Sequence, residues 1–264
     1  MHNFVLQKVS AHATDCPAPP REEKSIMTTL NPNAETQLSQ WHVFASVGEL
    51  EEAAVAYILA AANTAIVAHG AFHLVLAGGT TPRYVYEVLR AEQADWRRWH
   101  IYFGDERCLP PQHPERNSRM AMVSWLAHVP IPALQIHPIP SELGAEAAAR
   151  AYTEVVKEVP RFDLVLLGLG EDGHTASLFP MHAWERAVSW PPVLPVHDAP
   201  KPPPDRVSLS LDRLSATESV LFLVSGAGKA GAVRDWRAGL AIPASRIVAT
   251  GGVDIYLDNE AAGS

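Results

Sequence analysis

The stretch DLVLLGLGEDGHTASLFP, residues 163–180, runs from an apolar segment into a glycine-rich turn. Residues 163–167 lack the polar–apolar alternation of a half-exposed strand, which indicates a strand buried on both faces of a parallel sheet. The glycines that follow allow a sharp turn at the end of that strand. We therefore expect Asp172 and His174 to project from the turn into a cleft beside the sheet.

Strand and helix patterns alternate on both sides of this stretch. Further strands are predicted at residues 41–45, 72–77, 99–103, 193–197, 207–211 and 220–224, with a last one inside 246–256. Helices are predicted at residues 49–68, 84–90, 118–127, 142–159 and 228–238. The alternation indicates an α/β, Rossmann-like fold, a mostly parallel twisted sheet with helices on both faces. Because ligands bind such sheets beyond the carboxyl ends of the strands, the candidate binding loops begin at Gly78, Gly104, Gly168 and Ser225.

Composition and charge exclude several classes of function. The 264 residues, 47% of them hydrophobic, can bury a sizeable core. A net charge of −8 argues against nucleic acid and anionic membranes as partners. Cys16 and Cys108 lack the spacing of a metal site, so we expect no metal, no disulfide and a reducing, cytoplasmic environment. No apolar run is expected to reach the ~20 residues that span a bilayer.

The first forty residues differ in composition from the rest of the chain. They contain proline-rich and charged stretches and have no sustained period of a helix or a strand. We predict a disordered extension over residues 1–40, in which Met27 is a candidate second start codon. Residues 41–264 are predicted to form a single α/β domain.

Residues 168–173 also satisfy the pattern G-x-G-x-x-G of dinucleotide-binding turns. Such a turn needs a long helix directly after the third glycine and an acidic residue about twenty positions further on. Here Pro180 interrupts the chain soon after Gly173, and Glu171 and Asp172 would place two negative charges beside a pyrophosphate. We therefore interpret the pattern as a turn that presents His174, without a nucleotide cofactor.

His174 is the candidate general base. We predict that it begins a short helix, whose free N–H groups would favour a developing negative charge. A neighbouring carboxylate would orient the imidazole. Either Asp172 or Asp105 is expected to do so, and the sequence leaves that choice open.

The other loops offer groups that bind anions. The loop at residues 78–81 precedes a predicted helix and either cradles a phosphate or forms a simple capping turn. Lys229 lies in the first turn of a predicted helix, where its positive charge opposes the helix dipole. An anion bound between the ammonium group and the helix N-terminus would remove this unfavourable interaction. Arg107 either binds a phosphate or belongs to an ion-pair cluster, and Arg206 is either a further cationic contact or a solvated strand end.

Five motifs occur in the same order as in the 6-phosphogluconolactonases, and the chain resembles that family from about residue 41 onward. They are AGGTTP (77–82), GDER (104–107), NSRMA (117–121), LLGLGEDGHTASLFP (166–180) and GAGK (226–229). The resemblance implies a fold of the type shared with glucosamine-6-phosphate deaminase and ribose-5-phosphate isomerase. It also implies hydrolysis of 6-phosphoglucono-1,5-lactone to 6-phosphogluconate, the second step of the oxidative pentose phosphate pathway, without a metal or organic cofactor.

Combined with the residue-level reading, the resemblance predicts a mechanism. His174 would activate the attacking water, with backbone N–H groups stabilising the oxyanion. The expected contacts to the substrate and its phosphate are Gly78, Gly79, Thr80, Thr81, Arg107, Asn117, Gly173, Arg206 and Lys229. The expected partner is a small sugar-phosphate lactone, and we expect a monomer or a weak homodimer.

Two alternatives stay open at this point. A sugar-phosphate isomerase or deaminase of the same fold also needs a carboxylate near C1 and C2, which Asp105 could supply. Deaminases resemble GHIAFNEPG after the histidine, whereas this chain reads GHTASLFP from Gly173 and lacks the acidic residue that assists ring opening. A non-catalytic sugar-phosphate sensor would use the same loops, but such regulators normally add a DNA-binding helix-turn-helix, for which residues 1–40 lack length and period.

Overall fold

The computed structural model describes residues 37–180 and 190–263. Positions 1–36 of the predicted extension, including the candidate start at Met27, therefore lie outside the described residues. Residues 37–40 are folded, and the prediction of disorder was wrong for them. The amide of Gln37 donates to the carbonyl of Ala244 at 3.0 Å and accepts from the Trp236 indole at 3.0 Å. These partners lie about two hundred residues away along the chain, beyond the reach of a local pattern.

The described strands form two sheets. They are β1 (Ser39–Phe44), β2 (Phe72–Leu76), β3 (Trp99–Phe103), β4 (Asp105–Arg107), β5 (Phe162–Gly168), β6 (Val193–Val196), β7 (Arg206–Leu209), β8 (Thr217–Val224) and β9 (Val253–Asp258). Six of them make a parallel sheet in the order β1-β9-β8-β5-β2-β3. The central strands β5 and β8 are apolar and mostly buried, as strands covered on both faces must be. The predicted parallel sheet is therefore confirmed.

Helices cover both faces of the parallel sheet. The α-helices of the described ranges are α1 (Val47–His69), α2 (Thr80–Leu89), α3 (Asn117–Ser124), α4 (Ala145–Val156), α5 (Leu211–Ser215), α6 (Ala230–Arg237) and α7 (Asn259–Ala262). Tyr57 of α1 packs against Tyr256 of β9 at 6.0 Å between ring centroids, and Trp236 of α6 packs against Trp41 of β1 at 5.1 Å. Trp41 is in register with Ile255, the neighbour of Tyr256, and adjacent strand residues point to opposite faces. Hence α1 and α6 lie on opposite sides of the sheet.

Helix α1 is longer and more apolar than predicted from the sequence. Among the described helices, α1 is long and apolar enough to cross a membrane by length and composition alone. The prediction that no apolar run reaches about 20 residues was therefore wrong for α1. Its side chains at Leu50 and Ile58 are fully buried within the core. Ser46 caps its first turn and Gly70 ends it in a left-handed conformation, φ 87°, as in core helices of α/β proteins.

The second sheet was not predicted. Residues 104–107 were expected to form a loop, but β4 pairs antiparallel with β7, and β7 pairs with β6. The register places Asp105 opposite Ser208 and Arg107 opposite Arg206. This small sheet therefore brings two arginines, far apart in sequence, to the same edge of the molecule.

Four histidines stack at the end of the parallel sheet opposite to the binding loops. His73 of β2 and His100 of β3 are a register pair with ring centroids 4.8 Å apart, and His69 and His137 extend the stack. Burial above all, and then His100, lower the pKa of His73 to about 4, which the carboxylate of Asp163 only partly opposes. The imidazole of His73 is therefore neutral in the folded protein at neutral pH.

This stack predicts a specific loss of stability in acid. The unfolded chain binds a proton at His73 from about pH 6.5 downward, whereas the folded chain binds it only near its lowered pKa of about 4. The free energy of unfolding should fall as the pH drops through that window, and His73→Gln should make the fall shallower. Urea titrations at neutral pH and at about pH 5 measure the difference. The same exchange at exposed His128 is the control, and an equal slope in wild type and His73→Gln would contradict the prediction.

Candidate active site

A cavity of about 320 Å³ opens at the carboxyl ends of β2, β3 and β5. Three of the four predicted loops contribute backbone there, and the fourth contributes Lys229. Of the predicted catalytic residues, Asp105 and His174 line the cavity. Of the predicted substrate contacts, the lining contains Gly78, Gly79, Arg107, Asn117, Arg206 and Lys229. Within the described chain, Thr80, Thr81, Asp172 and Gly173 lie outside this lining.

His174 is held by Asp172, its neighbour but one. The distance from His174 Nδ1 to Asp172 Oδ1 is 2.5 Å, and the backbone N–H of His174 donates to the same oxygen at 3.2 Å. Burial raises the pKa of the Asp172 carboxyl, but the charge and hydrogen bonds of His174 outweigh it, so the pKa lies below its ordinary value. An ionised Asp172 that accepts Nδ1–H leaves Nε2 of His174 as the basic nitrogen.

The chain after His174 is not helical, and that prediction was wrong. Residues 174–179 form a tight turn in which Ala176 has a φ of 48° and Thr175 bridges to Leu178. Thr175 Oγ1 donates to the carbonyl of Gly168 at 2.9 Å, and the N–H of Ser177 donates to Ser208 Oγ at 3.2 Å. These contacts to β5 and β7 hold the turn in place, and no helix begins at His174.

Gly170 allows the His174–Asp172 pair to form. A Cβ at position 170 would lie 2.0 Å from His174 Nδ1 and 2.6 Å from Asp172 Oδ1. The N–H of Gly170 donates to the carbonyl of His174 at 2.7 Å, and the N–H of Gly173 donates back to Gly170 at 3.0 Å. Since the N–H of Gly173 is engaged inside the turn, it is a poor candidate for an oxyanion donor.

Asp105 contacts other partners. Ser177 Oγ donates to Asp105 Oδ2 at 2.6 Å, and Asn117 Nδ2 donates to Asp105 Oδ1 at 2.9 Å. Fully buried Glu106 accepts from the N–H groups of Asn117 and Ser118 at 2.7 and 2.8 Å, which fixes the start of α3 and thereby Asn117. Both carboxylate oxygens of Asp105 thus carry a hydrogen bond within the protein.

Several other residues that line the cavity are positively charged. Arg107 and Arg206 face each other across β4 and β7, an arrangement of like charges that is unfavourable without an anion. Arg206 is only 5% exposed, and burial lowers its pKa. Within the described chain, Arg107 Nε is buried without a hydrogen-bond partner. Burial likewise lowers the pKa of Lys229. Each of these features indicates a site for an anionic ligand.

Lys201 and Phe179 are among the lining residues that were not predicted from the sequence. Lys201 reaches the cavity from the loop between β6 and β7, and Phe179 packs against the His174 ring at 4.7 Å between centroids. The signal for Lys201 was its place directly before three prolines and close to Arg206, which restricts the backbone there. The hydroxyl of Thr81, which is predicted to contact phosphate, shares a hydrogen bond of 2.7 Å with Ser225 Oγ, and the N-cap of α2 is Gly79.

Fold and site together define a Rossmann-like α/β protein with a ligand cleft at the carboxyl edge of its sheet. Residues 45–256 match the family described as glucosamine-6-phosphate isomerases/6-phosphogluconolactonase. The chain belongs to this family, and the resemblance seen in the motifs is confirmed.

Individual relatives agree with the family match. The chain is 37% identical over 219 residues to a Mycobacterium leprae protein named 6-phosphogluconolactonase, covering 76% of this chain and 87% of that one. It is 35% identical over 209 residues to a probable chloroplastic 6-phosphogluconolactonase 3 of Oryza sativa subsp. indica, covering 72% of this chain and 63% of the rice protein. The chain thus spans less than two thirds of the rice relative. The crystal structure of 6-phosphogluconolactonase from Thermotoga maritima superposes with a TM-score of 0.77 at 26% identity, covering 83% and 99% of the two chains.

Proposed function

We propose that this protein hydrolyses 6-phosphoglucono-1,5-lactone to 6-phosphogluconate. The observation that carries the proposal is the His174–Asp172 pair, whose imidazole lines the same 320 Å³ cavity as Arg107, Arg206 and Lys229. One cavity therefore offers a base for water and cations for a phosphate. The family match and the names of the relatives support the same reaction.

In this mechanism Nε2 of His174 removes a proton from water while the water oxygen attacks C1 of the lactone. Asp172 stabilises the imidazolium through the 2.5 Å contact to Nδ1. The tetrahedral intermediate collapses by breaking the bond between C1 and the ring oxygen, and His174 returns its proton to that oxygen. The backbone at Gly78 and Gly79, which lines the cavity at the start of α2, is the candidate source of oxyanion donors.

The cationic residues would hold the substrate by its phosphate. Arg107 and Arg206 can bind phosphate oxygens with their planar groups, and Lys229 adds a third charge. A fixed phosphate places C1 of the substrate at a defined distance from His174. The free energy of phosphate binding thereby orients the lactone for attack by the water.

The geometry around Asp105 disfavours the isomerase or deaminase alternative. A carboxylate that removes a carbon-bound proton needs a basic, available oxygen. Both oxygens of Asp105 already accept hydrogen bonds within the protein, from Ser177 and Asn117, so neither is held free to take a carbon-bound proton. The same arrangement suits a carboxylate that accepts a hydroxyl of the sugar.

An assay with two substrates tests the proposal. The wild-type protein should accelerate hydrolysis of freshly generated 6-phosphoglucono-1,5-lactone far above its spontaneous rate, with EDTA present throughout. It should release no ammonia from glucosamine 6-phosphate. The appearance of 6-phosphogluconate, followed with a coupled dehydrogenase, measures the first reaction. A rate equal to the background would overturn the lactonase, and ammonia release would favour the deaminase.

We also keep the small-molecule lactone as the proposed partner and the cytoplasm as the proposed location. The net charge of −8 argues against nucleic acid and anionic membranes as partners, and the cysteine pattern suits a reducing compartment. A monomer or weak homodimer is proposed for the oligomeric state, and light scattering measures it.

A further inference from the structure

Among the described residues, four cationic side chains line the cavity, Arg107, Lys201, Arg206 and Lys229, against one lining carboxylate, Asp105. This excess of positive charge occurs in a protein whose net charge is −8. A concentrated field of one sign in an acidic protein indicates a ligand of the opposite sign. Both lysines interact with a carboxylate that the proposed reaction does not use, Glu171.

Glu171 forms an ion pair with Lys201 at the rim of the cavity. The distance from Lys201 Nζ to Glu171 Oε2 is 3.6 Å. The same carboxylate raises the pKa of Lys229, opposing the burial that lowers it, so Glu171 acts on both lysines. Glu171 directly precedes Asp172 in the turn that carries His174.

This ion pair contributes little to the stability of the fold. The side chains of Lys201 and Glu171 are 63% and 62% exposed, and exposed pairs at such distances are weak. The backbone of Lys201, in contrast, is fixed, because the guanidinium of Arg206 donates to the carbonyls of Lys201 and Pro203 at 2.8 and 3.2 Å. A fixed backbone with a long, weakly held side chain allows the ammonium of Lys201 to exchange one anion for another without moving the loop.

We propose that Lys201 is a further phosphate-binding residue and that Glu171 is its internal counter-ion, which the phosphate of the ligand displaces. The proposal rests on the proposed function for the identity of the ligand. The carboxylate competes with phosphate for the same ammonium group, so Glu171 lowers phosphate affinity and thereby favours release of the anionic product. Arg206 is a positioning residue for Lys201 in addition to lining the cavity.

Calorimetric titration of the full chain with 6-phosphogluconate and, separately, with inorganic phosphate tests this exchange. Glu171→Gln should bind each anion about threefold more tightly, within the range of an exposed ion pair. Lys201→Met should bind about tenfold more weakly, as expected for one lost charge-assisted contact. In the double variant the gain from Glu171→Gln should disappear, because no ammonium remains to be released.

Glu154→Gln is the matched control, since it removes the same charge from another exposed ion pair, with Lys157, outside the cavity. Tighter binding that is specific to Glu171→Gln and depends on Lys201 supports the proposal, and a purely structural role of Glu171 would not produce it. Unchanged or weaker binding by Glu171→Gln, or unchanged binding by Lys201→Met, overturns it. If the wild-type protein fails to hydrolyse the lactone, the titrations with inorganic phosphate still decide the exchange.

Discussion

Replacement of His174 by alanine should reduce kcat for lactone hydrolysis by about 10²- to 10⁴-fold, the usual contribution of a general base. The imidazole is the basic group of the cavity that has an ionised partner on one nitrogen and the cavity on the other side. Its removal leaves the cations in place, so KM should change much less than kcat. Initial rates with saturating lactone, corrected for spontaneous hydrolysis, measure both constants.

A second histidine–aspartate pair provides the control for this variant. His197 Nδ1 lies 2.8 Å from Asp205 Oδ1, but His197 does not belong to the cavity lining. His197→Ala removes an imidazole with a carboxylate partner and should keep nearly full activity. A His174→Ala variant with a kcat close to the wild-type value would exclude His174 as the base.

The choice between Asp172 and Asp105 could not be made from the sequence. Both carboxylates follow predicted strands, and a pattern does not show which side chain turns toward His174. The geometry favours Asp172 as the orienting residue, since Asp105 bonds Asn117 and Ser177. Asp172→Asn should therefore lower kcat without abolishing binding, because an amide cannot stabilise the imidazolium.

The parallel sheet could be predicted because its signals are local. Apolar runs such as residues 163–167 and 220–224 need only their own composition to indicate buried strands, and glycines mark their carboxyl ends. Strand β4 could not be predicted this way. It is three residues long and charged, and it exists because β7, far along the chain, supplies its hydrogen-bond partners.

The turn after His174 is not the helix that local propensity predicts, again because hydrogen bonds to other parts of the chain decide the structure. Thr175, Ala176 and Ser177 permit a helix start, but the hydroxyl of Thr175 bonds Gly168 and the hydroxyl of Ser177 bonds Asp105. Hydrogen bonds of these buried hydroxyls outweigh the weak intrinsic propensities of three residues. Lys201 was missed for a different reason: the three prolines that follow it indicate a restricted backbone, but they do not show which cavity the lysine side chain reaches.

A single methyl group at Gly170 should disable the site almost as fully as the loss of His174. The Cβ of Gly170→Ala would occupy the space of His174 Nδ1, at 2.0 Å, and crowd Asp172 Oδ1, at 2.6 Å. The imidazole must rotate away from its carboxylate, which separates the base from its orienting partner. We expect a loss of kcat of about 10²-fold, the lower bound for a general base. The melting temperature should change little, because Gly170 does not have the positive φ at which alanine is strained.

Gly48→Ala, in the first turn of α1, is the control. A Cβ at position 48 would meet Ser46 Oγ at 3.9 Å, an ordinary van der Waals contact, its φ is not positive, and Gly48 does not belong to the cavity lining. This variant should therefore retain activity, and steady-state kinetics of the two variants measured side by side would separate displacement of the His174–Asp172 pair from a general effect of replacing glycine by alanine. Equal activity in Gly170→Ala and Gly48→Ala would mean that the pair can reform around the new methyl group, and that catalysis tolerates a position of His174 different from the one described.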